Sequence, residues 1–307
     1  RAAWAVLPLA RSLSDPTVGT NTFVSPIETA ACAQNFNLSY SQMLPWLSRL
    51  KAREQQAAYE ALALDQRWRA ERLAVIAEVE SAYYRLYLLG QQIRINRTNE
   101  TLLESLVEVA NSRVASGAAS QADVLLATVE LSRLEEELIA LQRQVIVTSS
   151  EMNRLLYRPS DESVPVAESI NVGLPETSLE ALRAISVDQQ PEIVAARLGL
   201  QASTWGIEVA RLQRRPDFAF GATWYAIGDN RPLTSVVDVG RDAVSIEASA
   251  TVPLWHSKYD AMRTEASRAH LAAHAELDDI VSRYENIIAQ RLAEARAAAR
   301  TASLYES

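Results

Sequence analysis

The chain has no run of 18 apolar residues, so no segment of it can cross a bilayer as a helix. That absence leaves a membrane β-barrel open, because barrel strands alternate and give only a weak hydropathy signal. One cysteine, Cys32, excludes an internal disulfide framework and a cysteine-based zinc site. There is no basic block and the formal net charge is -8, which argues against nucleic acid as a partner. No Walker loop, dinucleotide fingerprint, HExxH, Ser-His-Asp order or catalytic carboxylate pair is recognisable, so nothing points to an enzyme or to a bound cofactor.

Glycine and proline are scarce in one long stretch. Residues 45–113 contain no glycine except Gly90 and no proline after Pro45, and they are rich in Ala, Leu, Glu, Arg and Gln. This composition predicts a single helix roughly 100 Å long. The pattern breaks at RVASGAASQADVLLA, residues 113–127. Gly117 can take the left-handed conformation that ends a helix. Ser120, with Asp123 three residues later, has the spacing of a capping box that starts the next helix, expected to run to about 157. A proline-marked segment follows, with Pro159, Pro165 and Pro175 and a small helix at about 178–186. Pro191 opens a further helix to about 214, and Pro216 introduces a strand, DFAFGATWYAI, with Phe218, Phe220, Ala222 and Trp224 on one face. After a loop containing Gly228, Asp229, Asn230, Arg231 and Pro232 comes a second strand, and a long helix then runs from Pro253 to the end.

That second strand lies in AVSIEASATVPLW (243–255), where Val244, Ile246, Ala248, Ala250 and Val252 alternate with Ser245, Glu247, Ser249 and Thr251. Strict alternation is the period of a strand with one dry face and one wet face. It has a twin in NFNLSYSQMLPW (35–46), where Phe36, Leu38 and Tyr40 oppose Asn35, Asn37, Ser39 and Ser41. A shift of 208 residues places Phe36 on Val244, Leu38 on Ile246, Pro45 on Pro253 and Pro8 on Pro216. We read this as an internal duplication. Residues 1–157 form a first repeat, with a strand pair at about 8–44 and a long helical hairpin at about 45–157. Residues 158–190 link it to a second repeat, 191–307, made of a helix (191–214), a strand pair (about 216–252) and a long helix (253–307). The counterpart of the 191–214 helix would precede residue 1, and that of the 113–123 hairpin would follow residue 307. The chain is therefore expected to be a piece of a longer protein, with any signal sequence or lipid-attachment cysteine upstream.

Three stretches carry a resemblance to a known family. These are Arg113, Gly117, Ser120, Asp123, Val124, Leu125 and Ala127 of the hairpin, PEIVAARLGLQAS with RRPDFAF, and SIEASATVPLW ahead of the last helix. In these the sequence resembles the TolC family of outer membrane efflux proteins, in the right order over nearly the whole chain. The resemblance implies a mainly α fold with a β-barrel portion. In a homotrimer, each subunit would give four strands to one twelve-stranded outer-membrane barrel, continuous with a periplasmic tunnel of long helices. Residues 158–190 would wrap the tunnel as an equatorial belt.

It also implies roles for individual residues. Phe36, Leu38, Tyr40, Phe218, Phe220, Trp224, Val244 and Ile246 would face lipid. Asn35, Asn37, Ser39, Ser41, Ser245, Glu247, Ser249 and Thr251 would line the lumen, with Asp229 at its mouth. The hairpin tip (Arg113, Val114, Ser116, Gly117, Ser120 and Asp123) would meet a periplasmic adaptor protein joined to an inner-membrane pump of RND, ABC or MFS type. Trp224 and Tyr225 are candidates for the membrane interface. His270 and His274, four apart on a helix, have a metal-compatible spacing but read as surface polar residues. The rival readings are a periplasmic adaptor and a soluble coiled-coil scaffold, and both leave the duplicated alternating strands unexplained.

Overall fold

The computed structural model describes residues 2–29, 32–118, 120–170, 173, 177–228 and 241–306. Its elements are a 3-10 turn (Ala2–Ala5), α1 (Val6–Arg11), β1 (Thr17–Thr29), β2 (Cys32–Leu44), α2 (Leu47–Ala115), α3 (Gln121–Leu155), α4 (Leu179–Gln189), α5 (Pro191–Leu212), β3 (Phe218–Ile227), β4 (Ala243–Ala250) and α6 (His256–Glu306). The fold is mainly helical with one four-stranded antiparallel sheet, ordered β1-β2-β3-β4. No helix is long and apolar enough to cross a membrane among the described residues.

The chain divides into two compact units, residues 1–68 with 176–307, and residues 69–175. The first holds the sheet, α5, α6 and the start of α2. Its core is made where α5 lies on α6. Ile193 is fully buried and packs with Ala196 and Ile280, supported by Leu277, Val281 and Tyr284. Glu192 ties the same two helices together, accepting from the Tyr284 hydroxyl at 2.6 Å and pairing with Arg283. Burial, and then the hydrogen bond to Glu192, push the Tyr284 hydroxyl pKa above its ordinary value.

The second unit is built on the outer parts of α2 and α3. Ala82 and Leu86 pack with Met152, and Val164 from the following segment closes over them. That segment is tied back to α2, since Tyr83 Oη accepts from the Ala167 amide and Gln91 donates to the Glu168 carbonyl. Asn153 is fully buried and anchors the turn, donating to the carbonyls of Ser160 and Glu162.

One strand boundary differs from the sequence expectation. Pro8 lies inside α1, and β1 begins only at Thr17, whereas Pro216 stands two residues before β3. The shift of 208 thus relates β2 to β4 but not β1 to β3. Thr17 pairs with Ser41, and Phe218 with Ala250. The first hairpin therefore has a different register, and the Pro8–Pro216 coincidence carries no structural meaning. In α1 the proline sits in the first turn, where its missing N–H costs nothing.

Candidate functional site

The sheet register decides which side chains share a face. Leu38 pairs with Trp224 and Trp224 with Val244; Tyr40 pairs with Ala222 and Ala222 with Ile246; Gln42 pairs with Phe220. Val18 opposes Tyr40 from the other side. Every apolar residue singled out in the sequence (Phe36, Leu38, Tyr40, Phe218, Phe220, Trp224, Val244 and Ile246) therefore lies on one face. The opposite face carries Asn37, Ser39 and Ser41 on β2, Gly221, Thr223 and Tyr225 on β3, and Ser245, Glu247 and Ser249 on β4.

Burial along β2 and β3 is inverted relative to a soluble protein, while β4 is exposed on both faces apart from half-buried Ser245. Along β3, Phe218, Phe220, Ala222 and Trp224 are exposed, while Gly221 and Thr223 between them are buried. On β2, Leu38 and Tyr40 are exposed and Asn37 is buried at 8%. Ile246 on β4 is 86% exposed. In water such a face would be covered by a second layer, yet no second sheet or helical layer covers it among the described residues.

The polar face is close-set and almost uncharged. Glu247 is the only charged residue within residues 17–22, 36–44, 218–226 and 243–250. Its side chain lies across Gly221, where an added Cβ would come within 2.7 Å of the Glu247 carboxylate. A side chain there would have to displace Glu247 and would crowd the Tyr40 carbonyl at 3.0 Å, so close approach rather than dihedral angle favours glycine.

Two expected lumen positions fall outside the paired register. Asn35 sits at the irregularity between Gln34 and Phe36 and has no opposite partner on β3. Thr251 lies past the end of β4. Its hydroxyl accepts from the Asp217 amide at 2.8 Å, and its own amide donates to the Asp217 carbonyl at 2.8 Å. Tyr225 points to the polar face, away from Trp224, whose Nε1 donates to Asp242 at 3.2 Å. Asp229 lies outside the described residues.

Thr251 belongs to a joint that the sequence reading missed. Asp217 pairs with Arg49, which is only 4% exposed, and accepts from the Trp46 amide. Arg49 also donates to Gln213 at 3.3 Å. The chain crosses from strand to helix or helix to strand at 44–47, 213–218 and 250–256, and this cluster clamps all three crossings. No local periodicity announces a pair separated by 168 residues. The only trace is the acid after Pro216 in RRPDFAF.

At the hairpin, Gly117 has φ +73°, its amide donates to the Val114 carbonyl at 3.0 Å, and the Ala118 amide donates to the Arg113 carbonyl at 2.8 Å. This paired closure is a Schellman motif. Ser116 Oγ adds a bond to the Arg113 carbonyl at 3.0 Å. On the return side, the Asp123 carboxylate accepts from both the amide and the hydroxyl of Ser120. Nothing lies within 4 Å of a Cβ built on Gly117, so its conformation and not crowding inside the chain selects glycine. Arg113, Ser116, Gly117, Ser120 and Asp123 are exposed and Val114 is half-buried.

Both long helices also carry apolar side chains that the chain leaves uncovered. Leu88, Ile95, Leu102 and Val109 on α2 are exposed and recur every seven residues. On α3, exposed Leu125, Ile139 and Ile146 fall at multiples of seven, with Ser132 at the position between the first two. These residues lie at heptad spacing and leave an apolar stripe exposed on the single chain. The two histidines do not converge: His270 Nδ1 meets Ser203 Oγ at 2.9 Å, and His274 Nδ1 meets Asp278 at 3.0 Å. No metal-ligating cluster occurs among the described residues.

The sequence model of the family described as outer membrane efflux protein matches residues 20–156. Outer membrane protein OprJ of Pseudomonas aeruginosa is 27% identical over 257 residues, 80% of this chain and 50% of OprJ. The chain thus spans half the length of that curated relative. The fold matches the outer membrane protein VceC from Vibrio cholerae with a TM-score of 0.77 at 18% identity, covering 96% of this chain and 73% of VceC. It matches the outer-membrane channel OprN with a TM-score of 0.79 at 18% identity, covering 100% of this chain and 71% of OprN.

Proposed function

Residues 20–156 match the outer membrane efflux protein family, and we propose that the chain is a member of it, the outer-membrane duct of a tripartite efflux or type I secretion system. One observation supports the reading: the apolar residues of the sheet share one exposed face, and on β2 and β3 the buried positions Asn37, Gly221 and Thr223 lie on the polar face. Exposed Leu38, Tyr40, Trp224, Val244 and Ile246 then meet outer-membrane lipid, and Asn37, Ser39, Ser41, Ser245, Glu247 and Ser249 line water.

The sheet has two open edges, on β1 and β4. In lipid an open edge is untenable, because no water satisfies its amides and carbonyls. With four alternating antiparallel strands, β4 of one copy can pair antiparallel with β1 of the next. Three copies close a twelve-stranded barrel, and the heptad stripes on α2 and α3 supply the seams of a helical tunnel in the periplasm. The belt segment 158–190 braces that tunnel. The hairpin tip, built by Arg113, Val114, Ser116, Gly117, Ser120 and Asp123, is the surface for a periplasmic adaptor, which couples the duct to an inner-membrane pump of RND, ABC or MFS type. The duct itself is passive, since the pump supplies the energy and no catalytic step is required of this chain.

The test is the detergent-corrected mass of the full-length protein extracted from membranes. Three copies carrying a detergent belt are expected. A monomer or dimer that stays soluble without detergent ends the reading, because the outward apolar face would then have to pack on protein. If the trimer forms, charge substitutions at exposed Arg113 and Ser116 are expected to lower efflux without altering the mass.

A further inference from the structure

At the foot of the central strands the outward face forms a groove of about 670 Å³ lined by Leu44, Pro45, Trp46, Leu47, Phe218 and Phe220. Its walls are aromatic and aliphatic, with Trp46 tilted against Phe218 at 6.4 Å between ring centroids. Directly beside it lie cations. The Arg215 guanidinium sits over the Trp46 ring at 5.5 Å. Arg214, also exposed, reaches His256 Nδ1 at 3.0 Å, at the start of α6, where Lys258 follows two residues later. Asp217, two residues from Arg215, is engaged by Arg49 and the Trp46 amide.

We propose that this groove binds an anionic phospholipid, its acyl chain against Phe218 and Phe220 and its phosphate on Arg215 and Arg214. The proposal rests on the reading that the outward face meets lipid. Three features then point to a phospholipid. Indole rings collect at the level where hydrocarbon gives way to headgroups, and Trp46 and the exposed Trp255 mark that level here. An arginine stacked on such a ring is held at headgroup depth, where a phosphate ester is the available partner. The groove is formed by the ends of the central strands β2 and β3 and by the crossing from β2 into α2, so pairing of copies through the edge strands β1 and β4 is expected to leave it open to the bilayer. A soluble phosphate would use the arginines but leave the apolar walls bare.

The full-length protein is reconstituted in phosphatidylcholine vesicles containing increasing amounts of either brominated phosphatidylglycerol or brominated phosphatidylcholine. The fluorescence of Trp46 is taken as the difference between the wild type and Trp46→Phe, and that of Trp224 likewise from Trp224→Phe. Trp46 is expected to be quenched at a lower fraction of the anionic lipid than of the neutral one, by about fivefold for each arginine engaged. Trp224, higher on the same face, is expected to show no headgroup preference. In Arg214→Gln/Arg215→Gln, whose substituted side chains are exposed and outside the Asp217 clamp, the preference at Trp46 is expected to disappear. Equal quenching of Trp46 by both lipids overturns the headgroup site while leaving the membrane reading intact. Quenching at Trp224 but not at Trp46 overturns it differently, since protein would then cover the groove. Quenching at neither defeats the underlying reading that this face meets lipid. A preference that survives the double substitution removes the assignment to these arginines.

Discussion

Two residues with positive φ end the two arms of the hairpin, and they behave oppositely. Gly117 at φ +73° has open space around its missing Cβ, so Gly117→Ala tests conformation alone. It is expected to destabilise by about 1 kcal/mol, read by chemical unfolding in detergent, and Gly117→Asn by less, since asparagine tolerates this region. Tyr157 at φ 56° occupies the equivalent place at the end of α3, where the Arg158 amide returns to the Asn153 carbonyl at 2.8 Å. Its side chain is almost wholly exposed. Tyr157→Gly is therefore expected to stabilise by about 1 kcal/mol; a loss of stability would mean that the ring is covered in the assembled protein. The sequence shows the first of these and hides the second. A glycine in a polar turn signals a helix end, whereas a tyrosine gives no sign that Asn153 holds the chain in a left-handed turn.

Among the elements, the joints matter more than the spans. The Asp217 clamp holds three chain crossings around a buried guanidinium. Asp217→Ala leaves Arg49 buried with only Gln213 beside it and is expected to cost about 3 kcal/mol, measured as the shift in unfolding free energy. Arg49→Met/Asp217→Leu, which removes both charges, is expected to recover most of that loss. A double variant as weak as the single one would show that geometry rather than charge holds the joint. The α5–α6 contact is pH-sensitive from the alkaline side. Burial and the bond to Glu192 raise the Tyr284 pKa, so the fold favours the protonated hydroxyl. Its contribution is complete below the ordinary tyrosine pKa of about 10 and is lost as pH rises through the raised value. The wild type is expected to lose more melting temperature above about pH 10 than Tyr284→Phe does; parallel curves would remove Tyr284 from this role. Helix existence and approximate ends were legible from composition and from Gly117, Ser120, Pro191 and Pro216. The clamp and the Glu192 contacts were not, because they join residues distant in the chain that carry no shared period.

For the whole molecule, a paired substitution across β4 separates the membrane reading from a soluble one. Arginine at Ile246, on the outward face, is expected to cost about 2–4 kcal/mol of barrel stability in lipid and to deplete the protein from the outer membrane, measured by fractionation. Ser249→Arg, three residues away on the inward face, is expected to be inserted normally. If both variants fractionate like the wild type, the outward face does not meet hydrocarbon. The heptad stripes argue at the same scale. Leu88, Ile95, Leu102 and Val109 are exposed on the single chain, and in the proposed trimer they are expected to be buried by helices of other copies.

The sequence by itself determined the local order of helices and strands and which strand residues share a side, because helix and strand periods are properties of consecutive residues. It also carried the family resemblance, in motifs that survive as short strings. Only the tertiary structure shows that the apolar residues of β2, β3 and β4 share one face in register, that Asn35 has no opposite partner on β3 and that Thr251 lies past the end of β4. It likewise decided that Pro8 belongs to a helix and that Arg49 and Asp217 meet. Alternation states only that two faces differ. Which face is covered depends on curvature, on pairing register and on contacts across 168 residues, and none of these is written in any local stretch of the chain.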